Sequence, residues 1–346
     1  MSLKNKKIDF NCLSDARLIL LGIATILVTF FHSDLLNIFD IISIKFIANA
    51  LNFVQKIGNY GVDIFLFLSG IGLYFSISKN NIKTFYKNRF IRIMPEFIII
   101  TVIYAFVSKT MTPIEVIETI FFISFFVKGI QDVWFIPFIM IMYLFFPLIY
   151  KIIKKYDFPG LLSLLFIVLI YNLFHFIFFQ SNYYSIELAL TRIPVFLFGV
   201  YFGKMIFNKQ KISLYILLIS IIVQIVLTIV LYINLDLNYF SIFARYIYCF
   251  LTISSVINFS FLYSILKNKN NLLTNTIKFI GIYSLEIYLI FEKVEYLLGK
   301  FYKLSSTLLF YILCFIITLV LSYIIKQVVN LLIKLIGNLF QRYKYI

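Results

Sequence analysis

The chain has 346 residues, of which 62% are hydrophobic and only 13% are charged. A water-soluble protein cannot carry that ratio, because it would have too little polar surface to face the solvent. The sequence therefore predicts an all-α polytopic membrane protein, with one integral domain over residues 1–346 and no soluble domain.

The net charge of +16 does not predict a nucleic-acid partner. Lysines and arginines lie mostly in short loops between apolar runs, the pattern of a membrane protein whose basic loops face the cytoplasm. The three cysteines are scattered without the spacing of metal ligands, so no metal site is expected. The basic start MSLKNKK is not followed by an apolar run with a small-residue cleavage site, so no cleavable signal peptide is expected.

Eleven apolar runs predict helices along the chain. They lie near residues 14–33, 58–77, 93–108, 114–127, 132–150, 160–179, 188–206, 212–233, 241–265, 278–298 and 306–333. The run 114–127 is too short to span a bilayer comfortably. If it does not span, nearly every basic loop falls on one side of the membrane. We therefore expect about ten transmembrane helices, one short re-entrant or interfacial helix, and both termini in the cytoplasm.

The first predicted span ends at His32, one of only two histidines in the chain. Arg17 lies near its other end, roughly 22 Å away along a helix axis and about 60° away around it. The two side chains therefore share one helix face. Because polar groups facing lipid are costly, we expect both to face the protein interior or a water-filled cavity.

An imidazole at this depth is a candidate general base. Asp63 begins the second predicted span on the same outer side, so it is the favoured partner to orient His32, with Asp34 as a second candidate. Capping of its own helix explains Asp63 equally well. His175 has no acidic neighbour in sequence and is expected to be structural.

Arg89 and Arg92 are three residues apart, so they share a face at the inner end of the third predicted helix. Guanidinium groups bind phosphate in a bidentate manner. The two arginines therefore predict a site for a phosphate-bearing ligand. The alternative is ordinary cytoplasmic charge that binds no ligand.

Several more charges lie inside apolar runs, namely Arg192, Arg245, Glu286, Glu292 and Lys293. Such residues usually face a cavity or pair with one another. Glu286 is a candidate for binding acceptor hydroxyl groups, the alternative being that the late charges neutralise each other. Trp134, the only tryptophan, is either a membrane-interface anchor or a cavity residue.

Six segments, taken in order, resemble acyltransferase family 3, the integral membrane O-acyltransferases. They are RLILLGIATILVTFFH (17–32), GVDIFLFLSGIGLYF (61–75), FYKNRFIRIMP (85–95), VWFIPFIMIMYLFFP (133–147), RIPVFLFGVYFGK (192–204) and IYSLEIYLIF (282–291). Each segment is weak alone, and their order and spacing carry the resemblance, which is strongest over residues 14–300.

The resemblance implies transfer of an acyl group, most often acetyl, from cytoplasmic acyl-CoA to a hydroxyl of a cell-envelope carbohydrate or lipid-linked glycan. It implies that His32 is the catalytic base, that Trp134 and Tyr143 line a central cavity, and that Arg192 contacts the acceptor or the oxyanion. Acyl-CoA is then a donor substrate, with Arg17, Arg89 and Arg92 as its expected contacts, and no permanently bound cofactor is expected.

Two positions depart from the family's pattern. The basic residue usually found eleven positions before the histidine is Leu21 here, and Arg17 lies one turn further back on nearly the same face. A histidine common in the late helix is replaced by Phe291, which Glu292 follows. Two alternatives therefore stay open: a glycan or lipid transporter or flippase, which would also need a cavity and intramembrane charges, and an inactive relative acting as a membrane sensor.

Overall fold

The structure is a computed structural model that describes residues 7–33, 45–132, 134–179, 186–234, 240–266, 272–301 and 308–342. Its helices are α1 (Asn11–Asp15), α2 (Arg17–His32), α3 (Lys45–Ile57), α4 (Gly61–Lys79), α5 (Ile82–Ser108), α6 (Pro113–Ile120), α7 (Ile123–Phe126), α8 (Phe135–Phe178), α9 (Ile193–Phe207), α10 (Leu214–Asn234), α11 (Phe240–Leu266), α12 (Leu272–Ile282), α13 (Ser284–Phe301) and α14 (Leu308–Arg342). A short 3₁₀ helix (Gly58–Tyr60) and two short strands, β1 (Lys7–Asp9) and β2 (Lys211–Ser213), complete the described elements.

Seven helical stretches are long and apolar enough to cross a membrane. They are Ile47–Lys79, Ile82–Ser108, Phe135–Phe178, Ile186–Phe207, Leu214–Asn234, Arg245–Leu266 and Leu308–Leu335. The shorter apolar helices α2 and α12 add to this set. The predicted class, a helical multi-pass membrane protein, is confirmed. The count of ten stays a prediction, because it depends on how the longest stretches divide.

The longest helix, α8, bends at Asp157, where φ is 55° and ψ is −132° within its 44 residues. A straight helix of that length would measure about 66 Å, more than twice the bilayer's hydrocarbon core. Lys204 of α9 holds the bend, since its Nζ donates to Asp157 Oδ1 at 2.8 Å and to the Ile153 carbonyl at 3.0 Å. The two halves of α8 correspond to the predicted runs 132–150 and 160–179.

The segment predicted to be re-entrant or interfacial forms two short helices, α6 and α7, joined at Phe122, whose φ is 65°. With 8 and 4 residues, neither is long enough to span a bilayer. Thr112 caps α6: its backbone N donates to Glu115 Oε2 at 2.7 Å, and its Oγ1 accepts from Glu115 N at 3.3 Å. The hydrogen bonds that the Thr112 backbone N and Oγ1 donate to the Glu115 carboxylate lower the pKa of Glu115 from its usual value.

The strands β1 and β2 pair antiparallel, with Lys7 opposite Ser213 and Asp9 opposite Lys211. The pairing places the start of the described chain beside the loop that follows α9. Both segments must therefore lie on the same side of the membrane, as the loop charges predict. That this side is the cytoplasm stays a prediction from the charges.

Glycines set the closest helix contacts in the bundle. A Cβ at Gly70 of α4 would lie 2.5 Å from the Phe196 carbonyl oxygen of α9, and one at Gly61 would lie 2.6 Å from the Ala24 carbonyl oxygen of α2. Only glycine permits approaches this close, as in other membrane helix pairs. These contacts fix α2, which carries both Arg17 and His32, against the centre of the bundle.

Candidate active site

One cavity brings together the three arginines predicted to bind the donor. Arg17 enters it from the first turn of α2, and Arg89 and Arg92 enter from α5. Tyr143 of α8 lines the same cavity, which we call the cationic cavity. Leu21 lines it as well, so Arg17 and the position usually basic in the family open into the same space.

The arginines of the cationic cavity have no acidic counter-ions. Within the described ranges, no carboxylate forms an ion pair with Arg17, Arg89 or Arg92. Arg89 Nη2 donates to Ser76 Oγ at 3.2 Å, and Arg89 also hydrogen-bonds Tyr143. The Nε atoms of Arg17 and Arg89 are buried without an acceptor. Three like charges with spare buried donors favour an anionic ligand over purely topological charge.

The far wall of the cationic cavity is aromatic. Phe65 of α4, Phe135 of α8 and Tyr288 of α13 line it. The rings of Phe135 and Tyr288 pack edge to face with centroids 5.4 Å apart. Phe135, Ile139 and Tyr143 recur every four residues, so one face of α8 forms this side of the cavity.

His32 pairs with a carboxylate of the late helix. Its Nδ1 lies 2.6 Å from Glu292 Oε1, and the two side chains are 36% and 44% exposed. Phe31 packs edge-on against the imidazole, with centroids 5.1 Å apart. Glu292 lies one helical turn beyond Tyr288, so it projects from the same face of α13 that lines the cationic cavity.

Asp63 does not pair with His32 as the sequence suggested. Its Oδ2 lies 3.4 Å from Arg192 Nε, and both side chains are 1% exposed. The Arg192 guanidinium also lies 5.0 Å from the centre of the Trp134 ring and donates to the Leu188 carbonyl at 3.1 Å. Asp63 is therefore used to neutralise a buried arginine, because an unpaired guanidinium at this depth would be costly.

A second ion pair accompanies the first, because Arg245 of α11 contacts Glu187 closely. Arg245 also acts electrostatically on Asp63, and Arg192 on Arg245. The four charges sum to zero. Trp134 covers Arg192 inside this group, which places the tryptophan against a buried charge.

The four residues expected to contact the acceptor do not meet in one place. Trp134 and Arg192 lie together, whereas Tyr143 lines the cationic cavity. Glu286 is fully buried beside α14, where Lys326 Nζ lies 2.7 Å from its Oε1. Glu96 of α5 hydrogen-bonds Glu286. Glu286 is thus paired with a lysine of α14, which is not one of the late charges considered in the sequence.

The remaining candidates are His175 and Asp34. His175 packs between the rings of Tyr171 and Phe179, with centroids 5.9 Å and 5.4 Å away, as a structural histidine would. Asp34 lies outside the described residues. The pairing of Glu292 with His32 was missed by the sequence reasoning, although Glu292 had been noted as a charge within an apolar run.

Comparison with known families supports the resemblance. The model of the acyltransferase domain of acyltransferase family 3 matches residues 19–327, which is most of the chain. Neither the curated proteins nor the solved structures contain a match.

Proposed function

The chain belongs to acyltransferase family 3 and is a membrane acyltransferase, and we propose that it acetylates a cell-envelope carbohydrate. The donor in this proposal is cytoplasmic acetyl-CoA, and the acceptor is a hydroxyl of a polysaccharide or of a lipid-linked glycan. Both termini lie in the cytoplasm, on the side where the basic loops gather.

The cationic cavity supports the choice of donor and is the single observation that carries the proposal. CoA is polyanionic, and Arg17, Arg89 and Arg92 offer guanidinium groups that form no ion pair with a carboxylate in the described part of the chain. In the proposal these three arginines hold the phosphates. The thioester arm then runs along the aromatic wall toward the end of α2 that carries His32.

His32 is the proposed general base. It accepts the proton of the acceptor hydroxyl as that oxygen attacks the thioester carbonyl carbon. The carbon–sulfur bond breaks, CoA leaves as a thiolate, and the imidazolium returns the proton to sulfur. The products are the ester and free CoA thiol, and no proton is gained or lost overall.

The four charges Asp63, Arg192, Glu187 and Arg245, which we call the outer group, give the acceptor a docking surface in this proposal. Trp134 offers an aromatic face of the kind on which a sugar ring can pack, and Arg192 beneath it is held in place by Asp63. Asp63 therefore acts by positioning Arg192, and Tyr143 by positioning Arg89 in the donor site. Glu286 has no role in the proposed reaction, because its carboxylate forms an ion pair with Lys326.

Binding of CoA to the purified protein tests the proposal against the transporter alternative. We expect saturable binding that weakens at least about tenfold in Arg89→Ala/Arg92→Ala, since each lost charged hydrogen bond removes roughly 1.5–3 kcal/mol. Lys79→Ala is the control, because it removes a positive charge from the exposed end of α4 without changing a residue that lines the cavity. Binding that is absent in the parent protein, or equal in the double variant, would contradict the donor assignment.

Compositional analysis of the cell envelope tests the acceptor. Surface glycans from cells lacking the protein are expected to lose an acetyl ester, and the parent chain is expected to restore it. Retention of every glycan ester in the deleted strain would reject a carbohydrate acceptor while leaving the donor experiment valid.

A further inference from the structure

We infer that Glu292 is the positioning residue of His32, fixing which imidazole nitrogen carries the proton. The inference rests on the proposed function, since it gives a role to a neighbour of the proposed base. It starts from the 2.6 Å contact between His32 Nδ1 on α2 and Glu292 Oε1 on α13. An ionised carboxylate can only accept a hydrogen bond, so the imidazole must donate from Nδ1.

The tautomer follows from that hydrogen bond. A neutral imidazole has one N–H and one lone pair, so a proton held at Nδ1 leaves the lone pair at Nε2. Nε2 is then the atom that can take a proton from the acceptor hydroxyl. Without the carboxylate, the ring could adopt the other tautomer, in which Nε2 already carries hydrogen and cannot act as a base.

Glu292 is not committed to another cation. In the part of the chain that the structure describes, its ion pair with His32 is the only one it forms. The adjacent Lys293 lies 5.5 Å from the centre of the Tyr104 ring on α5. Lys293 also acts electrostatically on Glu292, but without forming an ion pair with it. The Glu292 carboxylate is therefore available to the imidazole.

The neighbours of the pair limit how the ring can turn. Phe31 packs edge-on against the imidazole at 5.1 Å between centroids. Glu292 projects one turn beyond Tyr288, a residue of the cationic cavity's aromatic wall. Neither His32 nor Glu292 is among the described residues that line the cavity, so in the proposed reaction the thioester must extend about 6 Å further along α13 than Tyr288.

The carboxylate also acts during transfer. When Nε2 accepts the hydroxyl proton, the imidazole becomes positively charged, and the negative charge of Glu292 stabilises it. The proton then passes from Nε2 to the departing thiolate. Glu292 keeps its own ionisation state throughout, so the balance of atoms and charges in the proposed reaction is unchanged.

Nitrogen-15 NMR of histidine-labelled protein tests the tautomer directly. The chain has two histidines, so the spectrum of His32→Ala identifies the His32 resonances by their loss. We expect the parent protein to show His32 with hydrogen at Nδ1 alone. In Glu292→Gln the amide can also donate, so a mixture of both tautomers is expected. Glu295→Gln, which removes the same charge from the same helix, should leave the spectrum unchanged.

Steady-state kinetics supply the second measurement. Glu292→Gln should lower kcat by about 10²- to 10⁴-fold, because a base in the wrong tautomer loses the contribution of general-base catalysis, with KM for the donor nearly unchanged. Glu292→Asp should recover part of that loss, because it retains a carboxylate. An identical tautomer and an unchanged kcat in Glu292→Gln would overturn the inference. Activity retained by His32→Ala would instead overturn the proposed function, and the tautomer measurement would stand independently.

Discussion

The two ends of α2 differ in whether the charged side chains around them form ion pairs. At the Arg17 end, three guanidinium groups converge on the cationic cavity, and no carboxylate in the described ranges pairs with them. At the His32 end the described charges include two oppositely charged pairs, His32–Glu292 and Asp63–Arg192. Unpaired charge indicates a place left for a ligand, whereas paired charge indicates groups held in position. The following predictions test that distinction.

The largest effect is expected at the paired end. His32→Ala should lower acyl transfer by about 10²- to 10⁴-fold, because general base catalysis contributes on that order. CoA binding should be unaltered, since the arginines are untouched. Product formation in membranes with matched protein levels measures the first quantity, and equilibrium binding the second. A parallel loss of CoA binding would mean that the two ends of α2 are not separate sites.

The next effect concerns stability. Asp63→Ala leaves Arg192 buried without its carboxylate, which should lower the free energy of unfolding by about 3–5 kcal/mol. Denaturant titration in mixed micelles measures the change. The double variant Asp63→Ala/Arg192→Met removes both charges and should recover much of the loss. If Asp63→Ala is as stable as the parent protein, the buried pair does not hold the outer group together.

A smaller effect is expected at the unpaired end. Arg17→Leu removes one of three like charges, so protein stability should be unchanged or slightly increased. The KM for the acyl-CoA donor should rise about tenfold, from the loss of a charged hydrogen bond to phosphate. Gly72→Ala should raise the same KM by a smaller factor, because its new methyl group would lie 3.5 Å from Arg17 Nη2. An unchanged KM in Arg17→Leu would show that Arg17 does not take over the role of the basic residue that the family usually has at the position of Leu21.

The smallest effect is expected for a pair outside this comparison. Lys128 and Glu118 form an ion pair at the short helices α6 and α7, where the lysine is 45% exposed. Glu118→Gln should change the free energy of unfolding by about 0–1 kcal/mol, because solvent screens exposed pairs. The same titration as for Asp63→Ala measures it. A loss equal to that of Asp63→Ala would break the distinction between buried and exposed pairs.

Much of this organisation could be predicted from the sequence, because it depends on local pattern. Apolar runs and loop charges predicted the helical membrane fold and the segment too short to span. Arg17, Arg89 and Arg92 each occupy a predictable depth and face of a single helix, so their convergence followed once the helices packed. The first-helix motif and the segments after it predicted the family, which the match over residues 19–327 confirms.

The ion pairs could not be predicted in the same way. His32 and Glu292 lie at opposite ends of the sequence, and Asp63 is likewise far from Arg192. No local pattern states which carboxylate meets which cation, because that depends on how α2, α4 and α13 are rotated against each other. Position along the chain favours Asp63 or Asp34 as the partner of His32, whereas helix packing brings Glu292 to it.

Because α2 is a single uninterrupted helix, Arg17 and His32 are held at a constant separation of roughly 22 Å. Gly61 presses it against the bundle, so this rod cannot lengthen or shorten during turnover. The rigid helix thus sets a fixed distance between the cationic cavity and the proposed base. In the proposed reaction, a thioester donor whose anionic end and reactive carbon are much closer together than this distance cannot contact both Arg17 and His32, so donor length, independent of acyl chemistry, becomes a basis for selection.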